Sequence, residues 1–120
     1  MRNKKSILIV DDDKMLSGAI KSWMEEYGHA VACSDNGLDA INLSKERDFD
    51  MILIDYNMPR LKGDMVCRLI RYHRPDGYIV GFSSEAKDRE FIIAGANKFI
   101  YKGEFTRNFY LLHQLVQMTP

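Results

Sequence analysis

The sequence has only two cysteines, no net charge and no long apolar run, and each shortage argues against a class of protein. Cys33 and Cys67 stand far apart, with no short spacing and no histidine cluster beside them. That pattern speaks against a disulfide framework or a zinc site, and both read as reduced core thiols of a cytoplasmic protein. Lys plus Arg and Asp plus Glu both number 17, which removes any overall electrostatic reason to bind nucleic acid or an acidic membrane. No stretch approaches the ~20 apolar residues that a membrane span needs. The basic segment Met1 to Ser6 runs into apolar Ile7 to Val10, a run too short for a secretory signal and closed at once by three aspartates. His29, His73 and His113 are too scattered to suggest a metal site.

What is present is the profile of one globular domain. The 120 residues, 46% of them hydrophobic and 28% charged, can bury one substantial core, and no repeat, linker or low-complexity segment divides them. Residues 1–120 are therefore taken as a single domain, and Met1 favours a stand-alone protein or the N-terminal part of a longer one.

Short apolar runs alternate with helical periodicity along the whole chain. Ile7 to Val10 and Met51 to Ile54 are continuous apolar runs, as expected of strands buried on both faces, and Ala30 to Cys33, Tyr78 to Phe82 and Phe99 to Tyr101 complete five strands. Between them, Leu16, Ala19, Ile20, Trp23, Met24 and Tyr27 recur at helical spacing before a stop at Gly28. Leu38 to Lys45 reads as a weaker helix, Met65, Val66, Leu69 and Ile70 give another its stripe, and a short one lies around Asp88 to Ala94. Phe109, Leu112, Leu115 and Val116 line the last. Arg68, Arg71, His73 and Arg74 read as a solvated basic face. Strict alternation of buried strands with helices predicts a doubly wound α/β parallel sheet with five helices. In such sheets the functional site lies beyond the carboxyl ends of the strands.

The polar residues fall at those ends. Asp11, Asp12 and Asp13 follow the first strand, Asp55 ends the third, Ser83 and Ser84 the fourth, and Lys102 the fifth. Asp13, just before a helix, is read as its cap. Carboxylates meeting from two central strands repel unless a cation or protons join them, and all-oxygen donors suit Mg²⁺. An aspartate can attack phosphorus to give an acyl phosphate, with a lysine and a hydroxyl opposite to hold the phosphoryl oxygens.

The stretches Ile-Leu-Ile-Val-Asp-Asp-Asp, Ile-Leu-Ile-Asp-Tyr-Asn-Met-Pro and Phe-Ile-Tyr-Lys resemble, in order and over essentially the whole chain, the signatures of response-regulator receiver domains. The resemblance implies a flavodoxin-like sheet of order 2-1-3-4-5. It implies that Asp55 is phosphorylated with Mg²⁺ held by Asp11, Asp12, Asp55 and the backbone carbonyl of Asn57. Ser83 and Phe99 are then the switch pair, and Lys102 is the phosphate-facing amine. By the same likeness Glu85 stands at a position that tunes dephosphorylation, and the partners are a sensor histidine kinase or phosphotransfer protein and a downstream protein or output domain. The product is a regulatory phosphoacceptor rather than an enzyme, with no direct nucleic-acid or membrane contact. Two departures are visible. Gly103 stands where the family carries proline, which predicts a trans Lys102–Gly103 bond, and the segment from Ser83 to Lys102 is about one helical turn short, which predicts a short fourth helix.

Two other functions use similar residues. Haloacid-dehalogenase-type phosphatases also use an aspartyl nucleophile, but with a second aspartate where this chain has Asn57 and with the acidic pair late in the sequence. A degenerate receiver acting only as a docking module would need no metal.

Overall fold

The computed structural model describes residues 4–107 and 110–120. The first three residues of the basic N-terminal segment, and Phe109 of the last apolar stripe, lie outside the described residues. Strands β1 (Ser6–Val10), β2 (Ala30–Ser34), β3 (Met51–Asp55), β4 (Ile79–Ser83) and β5 (Lys98–Tyr101) form one parallel sheet of order 2-1-3-4-5. Helices α1 (Lys14–Glu26), α2 (Gly37–Glu46), α3 (Gly63–His73) and α4 (Asp88–Ala94) follow the first four strands. Helix α5 (Lys102–Arg107) follows β5, and Leu112, Leu115 and Val116 of the expected last helix lie on α6 (Tyr110–Gln117).

Alternation along the buried strands splits the core into two layers. Leu8, Val10, Ile52, Ile54 and Ile79 face α2, α3 and α4, whereas Ile7, Ile9, Met51, Leu53, Val80 and Phe82 face α1, α5 and α6. Every residue of β3 and β4 is buried, which explains their unbroken apolar runs. α1 begins where the Asp13 carboxylate accepts the Leu16 N–H at 3.1 Å, the capping role expected of it. It ends at Gly28, whose φ of 91° lies in the left-handed region that glycine enters without strain. α4 has seven residues, short as expected, and no peptide bond among the described residues is cis.

Two expectations need correction. β2 is an edge strand, so Cys33 is exposed and only Cys67 is a core thiol. The basic face of α3 is a set of latches, because helix ends leave carbonyls that need donors. Arg71 donates to the carbonyls of Arg74, Pro75, Gly77 and Gly95, and Arg74 to those of Ser44 and Arg47.

Two histidines that lie 84 positions apart meet in the fold, without forming a metal cluster among the described residues. His29 Nε2 and His113 Nδ1 are 3.2 Å apart and buried. His29 Nδ1 accepts the Lys5 backbone N–H at 3.1 Å, so neutral His29 carries its proton on Nε2 and donates it to His113. Burial lowers both pKa values; His113 and Lys5 lower that of His29 further, while Asp50 opposes. The unfolded chain therefore takes up protons first as pH falls, and the pair's contribution, complete above pH ~6.5, is lost below it. Relative to the parent, His113→Phe is expected to gain melting temperature between pH 7.5 and 5.5, because it lacks the pair's loss in acid. An unchanged slope in the variant counts against the pair.

Candidate functional site

The carboxyl ends of β1, β3 and β5 bring together the side chains singled out at the strand ends. Asp11 follows β1, Asp55 closes β3, and these strands are neighbours in the sheet. Ligand oxygens of Asp11, Asp12 and Asp55 lie within 4.8 Å of one another, Asp11 and Asp55 buried and Asp12 exposed. Lys102, the first residue of α5, reaches back over the Phe82 ring to place its amine 2.9 Å from Asp55 Oδ1 and 3.2 Å from Asp11 Oδ2. The other Asp11 oxygen accepts the Asp13 N–H at 2.9 Å, whereas Oδ2 is buried with no hydrogen-bond donor aligned on it.

This crowding shifts the protonation of Asp55, Asp11 and Lys102. Burial, reinforced by the charges of Asp11 and Asp12, pushes Asp55 up to about 6 although Lys102 pulls the other way. Burial likewise raises Asp11 against the opposing Asp13 N–H and Lys102. For Lys102 burial lowers the pKa, but the hydrogen bond to Asp55 and the charge of Asp11 outweigh it, leaving a net rise. One amine therefore faces two buried carboxylates, an arrangement short of positive charge.

The loop after β3 is fixed by close backbone approach. Gly63 N–H donates to the Tyr56 carbonyl at 2.8 Å, and a Cβ on Gly63 would collide with the Asp55 carbonyl oxygen. Ser83 is buried at the end of β4, and its hydroxyl accepts the Glu85 N–H at 3.0 Å. Asn57 is exposed, so its side chain lies at the mouth of the site. Phe99 is half-buried, its ring centroid 5.9 Å from that of Phe91 and 5.0 Å from that of Tyr101.

One feature of the mouth escaped sequence reasoning. The Asn57 amide donates to Glu85 Oε1 at 2.6 Å, and Lys62 Nζ donates to Asn57 Oδ1 at 3.2 Å. The available signal was a lysine immediately before α3, where a small polar cap is preferred.

Comparison with known proteins gives the same picture from outside. The profile of the response regulator receiver domain matches residues 7–112. Probable histidine kinase 1 of Oryza sativa subsp. indica is 35% identical over 95 residues, which are 79% of this chain and 10% of that protein. Transcriptional regulatory protein ResD of Bacillus subtilis is 31% identical over 102 residues, 83% of this chain and 42% of that one. The chain thus spans less than half the length of these curated relatives. Among solved structures, response regulator protein TrrA of Thermotoga maritima, in complex with Mg(2+)-BeF, is 26% identical. It superposes with a TM-score of 0.84 over 94% of this chain and 96% of its own. The response regulator domain of CheB from the same organism has a TM-score of 0.86 at 24% identity, covering 98% of this chain and 96% of that one, and shows the shared fold.

Proposed function

This chain belongs to the response regulator receiver family, the phosphoacceptor module of two-component signalling, and on that premise we propose that Asp55 is the residue that takes the phosphoryl group. The observation that carries the reading is the Lys102 amine held 2.9 Å from Asp55 beside the buried Asp11 carboxylate. In the transfer, an Asp55 oxygen bonds to phosphorus as the phosphorus–donor bond breaks, and Lys102 faces the negative charge on the phosphoryl oxygens.

The residues fit a magnesium ion. Asp11, Asp12, Asp55 and the backbone carbonyl of Asn57 would hold it, and the single Lys102 amine shared between the buried Asp11 and Asp55 carboxylates leaves the cluster short of positive charge. When bound, Mg²⁺ offsets the charge of the carboxylates and of the incoming phosphoryl group. Ser83 then turns its hydroxyl to the new oxygens and Phe99 repacks, changing the face formed by α4, β5 and α5. The donor is a sensor histidine kinase, a phosphotransfer protein or a small phosphodonor, and the receiver is a downstream protein or output domain. The chain acts as a cytoplasmic regulatory phosphoacceptor rather than as an enzyme, with no direct contact to nucleic acid or membrane. Among the described residues no helix is long and apolar enough to cross a membrane. The phosphatase alternative needs an acid at position 57, where the Asn57 amide instead bridges Glu85 and Lys62.

Acetyl phosphate with Mg²⁺ is expected to give one retarded band on a phosphate-binding gel, absent with chelator and absent in Asp55→Asn. A band that survives Asp55→Asn overturns the assignment. Because protons compete with the metal for Asp55, calorimetric Mg²⁺ affinity is expected to fall as pH drops below about 6.

A further inference from the structure

His29 stands at the entry to β2, and His113 reaches it from α6. The hydrogen bonds that join them run in one direction. The Lys5 N–H donates to His29 Nδ1 at 3.1 Å, which leaves the His29 proton on Nε2, facing His113 Nδ1 at 3.2 Å. Neutral His113 accordingly carries its own proton on Nε2. Each neutral ring has one lone pair to accept with, and both are occupied. A proton added to His29 lands on Nδ1, against the Lys5 N–H. One added to His113 lands on Nδ1, against the His29 N–H. Either way two donors face each other and a link breaks. The two rings differ in what receives the charge. The Lys5 charge opposes a proton on His29, and Asp50, which favours one, already accepts the Ser6 N–H at 2.7 Å. His113 instead stacks on the Tyr27 ring, centroids 3.9 Å apart, with the Tyr110 ring at 5.3 Å. Aromatic faces attract a cation at such distances, so the imidazolium is favoured at His113.

We propose that the Lys5–His29–His113 chain is an acid-operated switch: one proton taken from solvent onto His113 Nδ1 parts that ring from His29, leaves it on the tyrosine faces and loosens α6 from the amino end of the sheet. Leu112, Leu115 and Val116 stay buried and keep the helix docked, so the change is a local opening within a folded domain. Protonation of a histidine pair biases such two-state elements in general. The switch goes beyond the phosphoacceptor reading and does not depend on it, because His29 lies at the opposite end of the parallel strands from Asp55.

The test titrates the full chain from pH 7.5 to 5.5 and follows it by NMR. At pH 7.5 the ring nitrogens of His29 and His113 are both expected to show the Nε2–H tautomer, and an Nδ1–H form of either ring overturns the hydrogen-bonded chain. Hydrogen-exchange protection of the α6 amides is expected to fall by up to about tenfold per pH unit below ~6.5, the slope that one proton sets. The amides of β3 are expected to change less. His113→Phe keeps a ring on Tyr27 but takes up no proton there, and its α6 amides are expected to lose the response. Tyr27→Leu removes the stacked face and is expected to move the His113 midpoint to lower pH. Parent α6 amides that track those of β3 at every pH, an equal response in His113→Phe, or a midpoint unmoved in Tyr27→Leu overturns the proposal.

Discussion

In metal-free buffer at pH 7.5, Asp55→Asn is expected to melt several degrees above the parent although it lacks the proposed phosphoacceptor. Asp55 is 3% exposed and its pKa is pushed up to about 6 from 3.8, so folding opposes its charge at neutral pH. A shift of that size corresponds to roughly 3 kcal/mol of penalty on the ionised form. Asparagine keeps the shape and removes the charge, and Lys102 retains Asp11 at 3.2 Å as its counter-ion. The attraction of Lys102 is already included in that penalty, so the net gain is on the order of 1–3 kcal/mol. Because the folded pKa is raised, the parent's stability is full below the unfolded value and declines as pH rises through about 6. The gap between variant and parent therefore opens as pH rises from 3.8 to about 6, stays full above that and closes in acid. Saturating Mg²⁺ binds the parent better and narrows the gap, since a ligand at a hundred times its Kd adds about 2.7 kcal/mol. A variant that melts at or below the metal-free parent at pH 7.5 contradicts this electrostatic account.

The same tension explains what was legible in the sequence and what was not. Ile7 to Val10 and Met51 to Ile54 announce buried strands because helices cover both faces, and Asp11 and Asp55 then stand where such sheets gather their chemistry. Lys102 was legible by its place after β5, although it proves to be the first residue of α5. Cys33 misled because an apolar-looking strand gives no sign of lying at the sheet edge. The contact of His29 with His113 was not legible for a related reason: it is created by the return of α6 to the amino end of the sheet, and local spacing carries nothing of it. Arg71 and Arg74 have the composition of a solvated face, and only the positions of the facing carbonyls reveal them as latches. The division is physical. Period and strand-end position are local properties, whereas partners across 24 or 84 residues are fixed by packing.

Packing also yields a large expected stability effect, at Phe91. This ring is fully buried and lies over Gly81 of β4, where any Cβ would collide with it. In the sheet Gly81 pairs with Phe99 of β5, so the missing side chain leaves a notch beside the proposed switch aromatic, and α4 fills it with Phe91. Tyr56, next to Asp55, meets the same ring edge-on with centroids 6.1 Å apart. Phe91→Ala is expected to cost about 3–5 kcal/mol, a large part of the ~5–15 kcal/mol that holds a domain of this size. Gly81→Val alone also destabilises, because it drives a branched side chain into an occupied notch. Combined, the new valine occupies part of the space that the phenylalanine leaves, so the double variant is expected to be more stable than the sum of the single losses, by about 0.5–3 kcal/mol. Urea denaturation of the four proteins measures that coupling, and strict additivity would mean that the two positions do not share the notch. Loss of the ring also removes a neighbour against which Phe99 rests. Phe91→Ala is therefore expected to loosen Phe99 in the unphosphorylated protein, visible as broadened aromatic resonances. Packing at one glycine and one phenylalanine thus sets both how firmly α4 is held and how freely the aromatic beside it can move.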